Sequence, residues 1–230
     1  MQLLTEAEEN LRIIRSLMER ATIYRAIAAP SALVGGTLSL LAGLLGSRFL
    51  YNATESQVWF RFLLVWLPVL LVTGAFNTWF LWKEARQRGH RFISPGMKLA
   101  LVALSPSFLT AALLTIVFVS INAPVHVCVI AWMLCYGLAL LSTRHFAPAS
   151  VRCLGWAFLL AGWALLFTPW FSSLFVAGYS APQPKELYFA ALASQWMAFS
   201  FGLFHLVYAV STWPRKADPL DPGTEPRSDV

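Results

Sequence analysis

The chain has 230 residues, 58% hydrophobic and 12% charged, with ten Trp, a mean hydropathy of +0.62 and a net charge of +6. This is too apolar for a soluble globular domain of ordinary usage and places the chain in a membrane. No Gly-rich phosphate loop, HExxH, aspartyl pair or C-x-x-C spacing is present, so composition and motif together point to no enzyme class.

The first 25 residues are charged and amphipathic. Thr5-Glu6-Ala7-Glu8 has the form of a capping box, and Leu11, Ile14, Met18 and Ala21 then recur at helical spacing. The pattern predicts an amphipathic helix over residues 1–25. It would either dock a soluble partner or lie in the interface over the ends of the bundle, with Glu6, Glu8, Glu9 and Glu19 diluting the basic face that anionic lipid would favour. No cleavable signal peptide is expected, because the first apolar run is longer than a signal's apolar core.

A hydrocarbon layer of about 30 Å and a helical rise of about 1.5 Å per residue call for about 20 mainly apolar residues per crossing. Six runs meet this, over residues 26–50, 62–82, 99–121, 123–142, 153–171 and 187–213. They are continuously apolar rather than alternating, which selects helices over a barrel. The fold class is therefore all-α: a polytopic six-helix transmembrane bundle over 26–213, preceded by the amphipathic helix and followed by a polar, Pro-rich, disordered tail over 214–230.

In the first span Ser31, Gly35, Ser39, Gly43 and Ser47 fall at every fourth residue, making one narrow stripe without bulk. Helices in lipid associate through close van der Waals contact, so this stripe marks a helix–helix seam, formed either with a second copy of the chain or with another of its own spans. Asn52-Ala53-Thr54 is a glycosylation-type triplet hard against span one. Span two carries Pro68, Thr73 and Asn77, span three Pro106 between Ser105 and Ser107 with Thr110 and Thr115, and span five Pro169. Each Pro frees a backbone carbonyl and bends its helix. Asn122-Ala123-Pro124 predicts a tight hairpin between spans three and four. Cys128 and Cys135, seven apart on span four, read as packing residues. Trp59, Trp66, Trp79, Trp82, Trp170 and Trp213 lie towards span ends, where an indole bridges lipid and water. The final Ser228-Asp229-Val230 fits a loose PDZ-type ligand pattern.

Of the 17 Lys and Arg, fourteen fall in the N-terminal segment, the gaps after spans two and four, and the tail; only Arg48, Arg61 and Lys185 fall in the alternate gaps. Retention of positive charge on the cytoplasmic side predicts both termini inside, in a bacterial cytoplasmic membrane. Topology thus accounts for the net charge, and no nucleic-acid partner is expected.

All eleven Asp and Glu lie outside the apolar runs, which argues against a carboxylate proton relay or sodium site in the bilayer. His126 at the outer start of span four and His205 deep in span six are too far apart in depth to bracket one haem iron. No cofactor or metal is expected. Asn77, Gln195, His205 and Tyr208 are the candidate lining of a small uncharged polar pocket, against simple interhelical hydrogen bonding. The functional expectation is a non-enzymatic module that binds a cytoplasmic protein or senses a membrane-soluble signal, with the bilayer itself and a second copy through span one as further partners. The alternative is a transporter of small solutes or lipid.

Overall fold

The computed structural model describes residues 2–87, 93, 95–144, 147–175 and 185–213, the side chains of 2–7, 10, 14–28, 55, 95–96, 168–175 and 185–188 excepted. The tail over 214–230, Pro169, Trp170 and most of the apolar stripe of residues 1–25 lie outside the described residues and side chains.

The described chain is all helix. It runs as α1 (Gln2–Tyr51), a 3-10 turn (Glu55–Gln57), α2 (Val58–Gln87), α3 (Pro95–Ser120), α4 (Val125–Ser142), α5 (Ala149–Phe175), α6 (Lys185–Met197), a π-helical segment (Ala198–Phe204) and α7 (His205–Thr212). Six stretches are long and apolar enough to cross a bilayer: Ala29–Tyr51, Val58–Gln87, Met97–Ser120, Val125–Ser142, Ala149–Phe167 and Phe189–Thr212, the last formed jointly by α6, the π segment and α7. All six match the apolar runs read from sequence to within a few residues, and the chain is a multi-pass integral membrane protein. Leu45, Leu71, Val102 and Val210, each about 70% exposed, mark outward faces that meet lipid. The amphipathic segment and the first span form one helix, with Pro30 inside it.

Helix α1 is the hub. A Cβ added at Gly35 would meet Thr73 Cγ2 of α2 at 2.7 Å, one at Gly36 would meet the Gly202 carbonyl of the π segment at 3.0 Å, and one at Gly43 would collide with the Cβ of Ala198. Gly46 faces both Val65 of α2 and Ser194 of α6. Ser31, Gly35, Ser39 and Gly43 are buried and Ser47 half-buried. The small-residue stripe is therefore occupied by α2 on one flank and by the last span on the other, both antiparallel to α1. In lipid, where apolar burial drives little, such backbone approach supplies the dispersion contact that holds helices together.

Glycine closes the α4–α5 pair in the same way, since a Cβ at Gly137 would lie 2.9 Å from the Gly155 carbonyl. The core between these units is filled by Phe62, Trp66, Cys128, Val129, Met133, Phe158, Ala190, Ala193 and Met197. Two indoles depart from the expected interfacial role: Trp59 and Trp66 are buried, whereas Trp79, Trp82 and Trp213 are exposed. Trp59, Phe62 and Trp66 recur at i, i+3 and i+7 on the one face of α2 that meets the core, and Trp59 Nε1 donates to the Ala123 carbonyl at 2.9 Å.

Helix α3 stands at the periphery, with no residue of its span buried. It is tied to α4 by Trp132 Nε1 donating to Thr115 Oγ1 at 2.8 Å and by Ser142 Oγ donating to the Ala103 carbonyl at 2.9 Å. Pro106 cannot donate to the carbonyl of Val102, and Ser105 Oγ takes that acceptor at 3.1 Å, so the helix continues through the proline. The hairpin into α4 is a Schellman closure: Asn122 sits at φ 49°, its N–H bonds Val119 O at 3.1 Å, Ala123 N–H bonds Phe118 O at 2.8 Å, and Pro124 follows.

Arg61, one of three cations against the charge pattern, caps the C-terminus of α1. Its guanidinium donates to the Phe49 and Asn52 carbonyls at 2.9 and 3.0 Å and to Gln57 Oε1 at 2.7 Å, and lies over the Phe49 ring. A cation at a helix C-terminus answers both the orphan carbonyls and the dipole. Lys83, Arg86, Arg144 and Arg152 gather at the opposite end of the bundle, the basic end.

Two glycines in the membrane test this packing. Gly43→Ala should destabilise the bundle by about 1–3 kcal/mol, because the added methyl has no room against Ala198. Gly74→Ala, which meets nothing within 4 Å, should be neutral or stabilising by about 0.5–1 kcal/mol. Unfolding of the two variants in mixed detergent micelles measures the difference.

Candidate functional site

A polar group held on both sides within the bundle is the imidazole of His205, at the junction of the π segment and α7. The backbone N–H of His205 bonds the Gly202 carbonyl, three residues back. The Phe201 carbonyl is thereby released from its usual i+4 partner and takes the imidazole Nδ1 at 2.9 Å. A carbonyl only accepts, so Nδ1 carries the proton. Nε2 is then the bare nitrogen, and the Tyr136 hydroxyl of α4 donates to it at 2.8 Å.

Aromatic rings enclose this pair. The Tyr136 ring lies 4.7 Å from Phe158, 5.2 Å from Phe201 and 6.3 Å from Phe108. His205 lies 5.6 Å from Phe158 and stacks on Phe201 at 6.2 Å and 13°. The dyad thus joins α3, α4, α5 and the last span in one contact. π-Helical segments occur preferentially at functional sites, and this one presents Gly202 to α1 and, one turn on, His205 to α4.

With both nitrogens engaged, the dyad as built is a neutral hydrogen-bonded lock, and a metal could reach Nε2 only by displacing Tyr136. Among the described residues no three His, Cys, Asp or Glu side chains gather to hold a metal. His126, at the start of α4, instead packs its ring 5.4 Å from Phe189. Cys128 and Cys135 are buried as packing residues, while Cys153 is exposed.

The candidate pocket residues are spread out. Tyr208 is buried on α7 one turn from His205, and its hydroxyl has no hydrogen-bond partner among the described residues. Gln195 is exposed on α6, and Asn77 lies on α2, which α1 separates from the π segment. Neither is joined to the dyad, whose own contacts run between Tyr136 and His205, by a hydrogen bond or ring contact among the described residues. Asn77 does have polar company of another kind. Its Oδ1, Thr73 Oγ1 and Ser31 Oγ are all buried without hydrogen-bond partners. Because Gly35 faces Thr73 across antiparallel helices, one further turn on each brings Ser31 opposite Asn77.

Tyr136 was not legible as a partner, since a lone Tyr in an apolar run resembles any core aromatic. Its one signal is a phenolic hydroxyl at depth, which demands an acceptor.

Replacing one member of the dyad strands the other. Tyr136→Phe should cost about 1 kcal/mol in detergent unfolding, and Tyr136→Phe with His205→Leu less than the sum of the singles, which a double-mutant cycle reads directly. Imidazole nitrogen chemical shifts should report the Nδ1–H form of His205 in the parent and a changed Nε2 environment in Tyr136→Phe.

No family model, curated protein or solved structure matches this chain.

Proposed function

We propose that this protein is a non-enzymatic membrane module that couples a helical bundle to a protein partner at its basic end. The observation that carries this reading is α1: one helix from Gln2 to Tyr51 whose second half is the packing hub and whose first half extends outside the spans. Leu11 on that extension is 65% exposed beside exposed Glu8, Glu9 and Arg12. Such an amphipathic helix suits a groove on a partner. Force or binding at that segment would pass along α1 to the seams with α2 and the last span.

The charge distribution supports a cytoplasmic basic end, and with it cytoplasmic termini. Reporter fusions at the two chain ends test that orientation. Deleting residues 1–22 should abolish cross-linking to a soluble partner in native membranes while the six spans still insert. An unchanged cross-linking pattern sinks the coupling role.

A second reading, handling of a small polar solute, is favoured by the unpartnered oxygens of Ser31, Thr73 and Asn77 on the α1–α2 seam. Asn77→Leu separates the two. It should remove a small-solute mass from the chain in native mass spectrometry if the seam holds one, and leave partner cross-linking intact if the interaction reading holds.

A further inference from the structure

A cavity of about 480 Å³ opens at the basic end between α4 and α5, lined by Leu141, Ser142, Arg144, Arg152 and Trp156. Below it α4 and α5 pack closely: a Cβ added at Gly155 would lie 3.0 Å from Leu141 Cγ, and Leu141 also lines the cavity. The Ser142 hydroxyl is committed to the Ala139 and Ala103 carbonyls at 2.7 and 2.9 Å. The wall also carries two guanidinium groups, one just past the end of α4 and one in the first turn of α5, and the indole of Trp156. No Asp or Glu lines the cavity.

Two guanidiniums across one opening suit a phosphate, since each presents paired N–H donors in the geometry of its oxygens. Such chemistry is offered equally by free phosphate and by a lipid headgroup, and the surface leading away from the cavity distinguishes them. Trp156, Leu160 and Trp163 follow Arg152 at i+4, i+8 and i+11 along one face of α5, exposed by 50%, 59% and 42%, with the two indoles 6.3 Å apart. A charged mouth thus continues into an apolar track running towards the bilayer centre. Basic pockets between spans are a recurrent mode of anionic headgroup binding.

We infer that Arg144 and Arg152 hold the phosphate of an anionic phospholipid, with an acyl chain lying along Trp156, Leu160 and Trp163. A zwitterionic lipid brings its own cation to a site that has two already, so the preference is for net negative headgroups.

The test uses the full chain in nanodiscs of equal phosphatidylglycerol and phosphatidylcholine, released into native mass spectrometry. The retained lipid should be phosphatidylglycerol over phosphatidylcholine by more than about 5-fold, the effect of roughly one interfacial cation. Arg144→Gln with Arg152→Gln should return that ratio towards one, while Lys83→Gln with Arg86→Gln, an equal loss of charge elsewhere at the basic end, should leave it unchanged. Equal loss in both pairs would make the preference a bulk charge effect and overturn the site. Retention of inorganic phosphate by lipid-free protein, without headgroup preference in nanodiscs, would overturn the lipid assignment in favour of the free anion. Should the Arg144 and Arg152 double variant fail to fold, the parent's headgroup ratio still decides, because a ratio of one refutes the proposal alone.

Discussion

Close backbone approach along α1 is the contact on which the remaining packing depends. A bilayer removes most of the advantage of burying apolar surface, so helices that touch must do so through shape and dispersion. Gly35, Gly36, Gly43 and Gly46 let α1 accept α2 on one flank and the last span on the other. Once those two are seated, α4 is held against the last span by Tyr136 and His205, α5 against α4 by Gly137 and Gly155, and α3 against α4 by two hydrogen bonds. α3 lies at the edge of this arrangement, with no residue of its span buried.

The same solvent explains how the polar groups are spent. Where no water reaches, a freed carbonyl or a hydroxyl gains by finding a partner within the chain, and outside the Ser31, Thr73 and Asn77 seam several do. Ser105 answers the carbonyl left by Pro106, Thr115 answers the Trp132 indole, Arg61 answers the end of α1, and Phe201 answers His205. α2 and α3 run through Pro68 and Pro106 as continuous helices, and at Pro106 it is Ser105 that takes the freed carbonyl.

The six spans, their boundaries and the hairpin at Asn122 were legible in the sequence because lipid thickness and αL geometry act locally on the chain. So was the stripe from Ser31 to Ser47 as a seam, though not its occupants, which are set by how α2 and the last span return. Trp59 and Trp66 were misread for the same reason: proximity to a span end indicates depth, but the face of the helix decides between lipid and core, and Phe62 between them was the clue to a core face. His205 stood out by residue type. Its partner did not, since Tyr136 lies 69 residues away in a run whose other members only pack. The π segment has no local sequence signature at all.

That segment has a consequence for how the chain tolerates change in length. A regular α-helix turns about 100° per residue, and a π-helical turn absorbs one extra residue. Ala198 and Gly202 meet α1, while His205 and Tyr208 meet α4 and α5. One helix thereby serves two differently directed interfaces. Losing a single residue between Ala198 and Phe204 would swing everything downstream by about that angle, parting His205 from Tyr136 with no change in apolar length. Two chains could then share six indistinguishable hydropathy peaks and differ in whether the last span engages its neighbours, so span counts alone are a poor measure of likeness for this architecture.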